Sequence, residues 1–120
     1  TLIDLEARSW PMVGLLLTTV QMTSRLTLGY RQATVQQPSF LLAQGQSVWG
    51  HEFHRSQTDT EPDHPLYQLK RYGAEQPHAV EGWSLHQVQA SYLHLHWGGC
   101  PEVAQSLVGA CTRYRQNRVT

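Results

Sequence analysis

The sequence predicts an α/β domain in which strands come first and a single helix comes last. Three observations predict it. Apolar and polar residues alternate over Ser91–Trp97, and alternation is read over Leu66–Tyr72 as well, the period of a strand with one face in a core. Val103, Leu107, Val108, Cys111 and Tyr114 recur near helical spacing between Pro101 and Asn117, so that segment should lay one face on the sheet. With 120 residues, 40% hydrophobic and 15% charged, the chain holds one core and shows no repeat, low-complexity stretch or linker that would divide it.

The elements follow in order. Leu2–Arg8 reads as the last turns of a helix, broken by Trp10-Pro11. Met12–Leu17 is a short continuous apolar run, the pattern of a strand buried on both faces. Leu26–Val35 is the next strand, with Thr and Tyr among apolar residues and Gly29 placed to make a bulge. Gln36–Ser39 turns the chain, and Phe40–Leu42 and Ser47–Ser56 follow as strands on either side of Ala43-Gln44-Gly45-Gln46. Gln57–Pro65 is a polar, proline-bearing surface loop. Alternation returns over Leu66–Tyr72, Gly73–Pro77 is a loop, and Val80–Leu85 around Gly82 is one short strand. Ser91–Trp97 then runs into Gly98-Gly99-Cys100-Pro101, which places its histidines near the carboxyl end of the strand, where open α/β sheets keep their sites.

Charge and hydropathy narrow the partners. Formal net charge is zero and the sequence pI is about 7.0, so there is no electrostatic footprint for nucleic acid or an anionic membrane. The apolar run Met12–Leu17 is far short of a bilayer span, and no basic-then-apolar leader opens the chain. A cytoplasmic setting is expected. Arg113, Arg115 and Arg118 need no ligand, because cations are favoured near a helix carboxyl end. Cys100 and Cys111 lack metal-clip spacing and, on one continuous helix, stand too far apart for a disulfide. Cys100 at a helix start is a nucleophile candidate by position, although a small residue before Pro101 at the first helical position is the commoner reason for it.

Two constellations carry chemistry. In Ser91-Tyr92-Leu93-His94-Leu95-His96-Trp97, strand periodicity points Tyr92, His94 and His96 one way and Leu93, Leu95 and Trp97 the other. Two imidazoles on one face suit either a base or a metal. The second is Gly50-His51-Glu52-Phe53-His54-Arg55-Ser56. Its His-x-x-His spacing is not the His-Glu-x-x-His of zinc hydrolases, and in a strand the two histidines face opposite sides. A metal-binding β module assembled from His51 or His54 with His94 and His96 stays open on these residues alone.

These two motifs, with Trp10-Pro11-Met12-Val13-Gly14-Leu15-Leu16 and Met22-Thr23-Ser24-Arg25-Leu26-Thr27-Leu28-Gly29-Tyr30-Arg31, resemble the C-terminal part of the cobyrinic acid a,c-diamide synthase family. The resemblance runs from Leu2 to about Val108, and Gly-His-Glu-Phe-His and Ser-Tyr-Leu-His-Leu-His are its most specific strings. It implies an N-terminal ATP-dependent synthetase domain followed by a glutaminase domain of the class I amidotransferase type, with a flavodoxin-like three-layer α/β fold. Residues 1–120 would then be the C-terminal portion of that glutaminase domain, strand-rich with a C-terminal helix, without its nucleophile half or the synthetase domain. Glutamine would be the ammonia donor and the a and c carboxylates of a corrinoid, cobyrinic or hydrogenobyrinic acid, the acceptors, in cobalamin biosynthesis. ATP and Mg2+ belong to the full-length enzyme, and this segment would bind neither.

Carried over by motif, His94 matches the family's catalytic histidine, general base to a cysteine thiol, with His96 as runner-up. Many class I glutaminases place an orienting glutamate where this chain has His96, which leaves the third member of the triad open. Glu52 is a candidate for that orienting role, or for a structural pair with Arg25 or Arg31. Arg25, His51 and His54 are the substrate-side candidates, Arg25 for the glutamine carboxylate. The family's nucleophile would precede Thr1, so the isolated chain is expected to be inactive. Leu17-Thr18 departs from the family by replacing a Pro-Gly turn. The competing readings are the metal module and a non-catalytic assembly domain, and exposed apolar surface would favour a homodimer.

Overall fold

A computed structural model describes residues 1–118, so the last two of the expected 1–120 segment lie outside the described residues. Nine strands and one helix follow in order: β1 (Leu2–Ile3), β2 (Ser9–Trp10), β3 (Val20–Val35), β4 (Ser47–Thr58), β5 (Tyr67–Arg71), β6 (Ala79–Glu81), β7 (Trp83–Leu85), β8 (Val88–Ala90), β9 (His94–Leu95) and α1 (Pro101–Arg118). The long antiparallel pair β3–β4 is the spine of a seven-stranded sheet. β1 and β5 share one edge of β3, β2 extends β1, β6 extends β5, and β9 adds to the free edge of β4. β7 and β8 form a separate two-stranded sheet.

The core follows from the alternation. In β4, Val48, Gly50 and Glu52 are buried while Ser47, Trp49, His51 and Phe53 are exposed, a strict period of two. Ala33, Val35, Val48, Leu66, Tyr67 and Leu69 meet beneath this face, joined by Leu42, Leu93 and Val103. Gly50 lies where β9 crosses. A Cβ there would stand 2.7 Å from the carbonyl oxygen of His94 and 2.8 Å from the Leu93 side chain, so only glycine admits the close approach.

Several expectations are corrected. Leu2–Arg8 is not a helix end: β1 pairs with β2 and β3, and Asp4 builds the turn between β1 and β2. Its carboxylate accepts the N–H groups of Glu6 and Arg8, Arg8 Nε and Trp10 Nε1, a local bonding pattern that competes with helix. Met12–Leu17 is an irregular, largely exposed connection, with Val13 93% and Leu17 98% exposed, and no strand among the described residues pairs with it. β3 starts at Val20, not Leu26, and its irregularity falls between Met22 and Thr27 instead of at Gly29. Phe40–Leu42 is a turn because the Ser39 hydroxyl accepts the N–H groups of Leu41 and Leu42.

The later segments also shift. β4 runs on to Thr58, shortening the loop expected from Gln57. Val80–Leu85 is two strands on different sheets, because Gly82 turns there with φ +84 against Leu66. Of Ser91–Trp97 only His94 and Leu95 are strand, and Trp97–Gly99 is a 3-10 turn. The sheet is largely antiparallel, so the strand-end rule for open parallel sheets does not locate the histidines. Pro101 opens α1 as expected, but only its first turn enters the core through Val103; Val108 and Tyr114 are each 64% exposed.

Candidate active site

Opposite residues in an antiparallel register point to the same face, which sorts the site residues. Leu28 pairs with Phe53, Tyr30 with His51, and His51 with His94, so all five stand on the exposed face of the sheet. The His94 ring stacks on that of His51, with centroids 4.9 Å apart, and its Nδ1–H donates to the His51 carbonyl at 3.1 Å. A carbonyl only accepts, so this bond puts the proton on Nδ1 and leaves Nε2 as the basic nitrogen. The orienting group of His94 is thus a main-chain oxygen.

Glu52 is turned to the other face and does not reach His94. Its carboxylate lies 2.6 Å from Arg31 Nε; the approach is off the N–H direction, so the contact is an ion pair more than a hydrogen bond. Both are buried, Arg31 7% and Glu52 8% exposed. Of the two readings of Glu52, the geometry supplies the pair with Arg31. His54 shares this inner face, with Nδ1–H donating to the Ser56 carbonyl at 2.8 Å and Nε2 3.5 Å from Glu52.

Tyr92 departs from expectation most. The backbone bends before β9, so Tyr92 does not share a face with His94 but stacks flat on His54, centroids 3.9 Å apart and planes 12° apart. Its hydroxyl is hydrogen-bonded to Ser56 Oγ at 2.9 Å. Glu81 accepts the Tyr92 N–H at 3.1 Å and the Ser91 hydroxyl at 2.5 Å. Burial raises the Glu81 carboxyl above the usual carboxylate range, against these two bonds, which lower it. Ser91 opens the Ser-Tyr-Leu-His-Leu-His string, but its bond to Glu81 depends on the fold bringing β6 beside the bend, and Glu81 itself carries no motif signal. Gly50 did carry one: glycine inside a strand marks a close backbone approach.

The remaining candidates lie apart from His94's partners. His96 is exposed and its ring lies over Gly98, with no bond to His94. Arg25 is exposed in the irregular part of β3, which Arg55 pins by donating to the Ser24 carbonyl at 2.6 Å. Cys100 donates to the Glu102 carboxylate at 3.4 Å, and burial, then that carboxylate, raises its thiol above the usual range. Such a thiol is a poor nucleophile. His54 lies across the sheet from His51 and His94, and among the described residues no group of three or more His, Cys, Asp or Glu converges to hold a metal. No helix among the described residues is long and apolar enough to cross a membrane.

A sheet edge carrying a histidine with one nitrogen oriented by the main chain and the other free is a setting for acid–base work. The chain belongs to the CobB/CobQ-like glutamine amidotransferase domain family, matched over residues 1–101. It is strand-rich with one C-terminal helix, part of a class I glutamine amidotransferase-like α/β domain. More particularly, it is 52% identical over 110 residues to the cobyrinate a,c-diamide synthase of Synechococcus sp. and 40% identical over 116 residues to that of Synechocystis sp.. It is 42% identical over 107 residues to the hydrogenobyrinate a,c-diamide synthase of Streptomyces coelicolor. The three matches cover 92%, 97% and 88% of this chain but 24%, 24% and 21% of those relatives, so the chain spans about a quarter of their length. No solved structure matches it.

Proposed function

We propose that residues 1–120 form the C-terminal portion of the glutaminase domain of a cobyrinate or hydrogenobyrinate a,c-diamide synthase. The full-length enzyme amidates the a and c carboxylates with ammonia from glutamine, using ATP and Mg2+ at a synthetase site to which no residue of this chain is assigned. This segment contributes the general base. The observation that carries the reading is His94 on the exposed face, its Nδ1–H committed to the His51 carbonyl and its Nε2 free.

In the reaction, Nε2 of His94 takes the proton from a cysteine thiol, and the thiolate adds to the amide carbon of glutamine. The imidazolium returns that proton to the departing nitrogen, which leaves as ammonia, and water then hydrolyses the thioester to glutamate. The His51 carbonyl holds the ring in the required tautomer throughout, as a triad carboxylate does elsewhere. The thiol comes from another part of the domain, because Cys100 is tied to Glu102. Leu28, Tyr30, Trp49 and Phe53, all at least half exposed around the histidines, are the surface that part would cover. A second copy of the chain would cover the same surface when that part is missing.

The test is a chimera in which this chain replaces the corresponding quarter of the Synechococcus synthase. It should support glutamine-dependent amidation. His94→Ala in the chimera should lower that activity about 100-fold to 10,000-fold, while free ammonia still serves as donor. Glutamine-dependent turnover that survives His94→Ala overturns the assignment.

A further inference from the structure

We infer that Tyr92 and His54 are positioning residues for His94, gripping the histidine segment from the face of the sheet opposite the one on which His94 acts. This rests on His94 as general base. β9 is paired to β4 only through Gly50 with Leu95 and His51 with His94. Two residue pairs are too few to hold a strand in one register, so its place is set by side chains.

Those side chains form one continuous path. Arg31 holds Glu52, and the Glu52 carboxylate faces His54 Nε2. His54 Nδ1–H is spent on the Ser56 carbonyl, which fixes the ring plane. Tyr92 lies flat on that ring and is hydrogen-bonded to Ser56 through its hydroxyl. From the other side, Glu81 accepts the Tyr92 N–H, and Ser91 Oγ accepts the N–H of Leu93. Tyr92 and His94 are two residues apart, so a backbone slip that the Tyr92 stack would otherwise prevent is passed along the chain to the imidazole. Acid–base catalysis tolerates little of that.

The spacing of Gly50-His51-Glu52-Phe53-His54 thereby acquires a reason. His51 receives His94 on the outer face, His54 receives Tyr92 on the inner face, and Gly50 lets the chain joining them pass close to β4. Three positions along one strand grip a second strand from both sides.

Two measurements decide it. In the chimera, Tyr92→Leu and His54→Ala should each lower kcat for glutamine hydrolysis roughly tenfold or more, with KM for glutamine and ammonia-dependent amidation little changed. Tyr92→Phe, which keeps the ring and loses only the hydroxyl bond, should recover most of the kcat. A folded Tyr92→Leu with the parental kcat overturns the inference, and His54→Ala removes the stack from the other partner should Tyr92→Leu not fold. Independently of any variant, proton NMR of the full chain should show the His54 ring protons shifted upfield by the Tyr92 ring; unshifted protons overturn it too. If His94→Ala itself keeps glutamine-dependent turnover, the reading of His94 fails, and the NMR result still reports on the stack.

Discussion

Glu52 and Phe53 are neighbours on β4, yet Glu52 is 8% exposed and Phe53 60% exposed. The inner face of the strand carries Glu52 and His54, and the outer face carries Trp49, His51 and Phe53. This inverts the usual partition, in which carboxylates face water and aromatic rings are covered. The inner face tolerates its charge because each polar group has a partner: Glu52 has Arg31, His54 has Ser56, and Tyr92 has Ser56 and Glu81. The outer face is exposed and mixes the aromatic rings of Trp49 and Phe53 with His51 and, from β9, His94. One face holds the sheet together, and the other presents the histidine to whatever covers it.

The comparison is broken most directly at the neighbouring pair. Glu52→Ala leaves the Arg31 guanidinium buried without its anion and should cost about 3–5 kcal/mol, read as a lowered midpoint in urea unfolding of the chain. Phe53→Ser, one residue along, serves as its control and should move the same midpoint by no more than about 0.5 kcal/mol. Equal losses would mean that the two faces are not as different as their surroundings indicate.

Gly50→Ala sharpens the boundary between the faces. Its Cβ would press on the His94 carbonyl and the Leu93 side chain, so β9 must move off β4. A loss of about 1–3 kcal/mol is expected, together with a fall in glutamine-dependent activity of the chimera. A fully active Gly50→Ala protein would show that the β4–β9 contact does not place His94.

The smallest effect is in the pH dependence of stability. The folded-state pKa of Glu81 is raised by burial, so the folded protein holds its proton more tightly than the unfolded chain does. That contribution is present below the unfolded carboxyl's pKa and is lost as pH rises through the folded value. Glu81→Gln should therefore flatten the decline in stability on the alkaline side of the ordinary carboxylate range, measured by denaturant unfolding at successive pH values. An unchanged slope would place the titration elsewhere.

How far the site was legible depends on the kind of signal each residue carries. His51, His54, His94 and Gly50 stand in short strings with strand periodicity, and the faces of β4 follow from that periodicity directly. Tyr92 did not follow, because the same alternation that placed it beside His94 fails when the backbone bends outside a two-residue strand. Met12–Leu17 failed for a related reason: an apolar run becomes a buried strand only where a neighbouring strand supplies its hydrogen bonds, and none among the described residues pairs with it. Leu2–Arg8 was lost to the Asp4 side chain, whose bonds to nearby N–H groups outweigh seven residues of weak helical pattern.

By itself the sequence determined that Leu26–Val35 and Ser47–Ser56 are strands, that a helix starts at Pro101, and the family to which the chain belongs. These rest on local periodicity, turn residues and contiguous motifs, all of which are written along the chain. Tertiary structure alone decided that Glu52 meets Arg31 instead of His94, that Tyr92 lies on His54, and that a main-chain carbonyl orients the candidate base. Those contacts depend on the register between strands and on one bend, and a shift of a single residue in either would send each side chain to the opposite face.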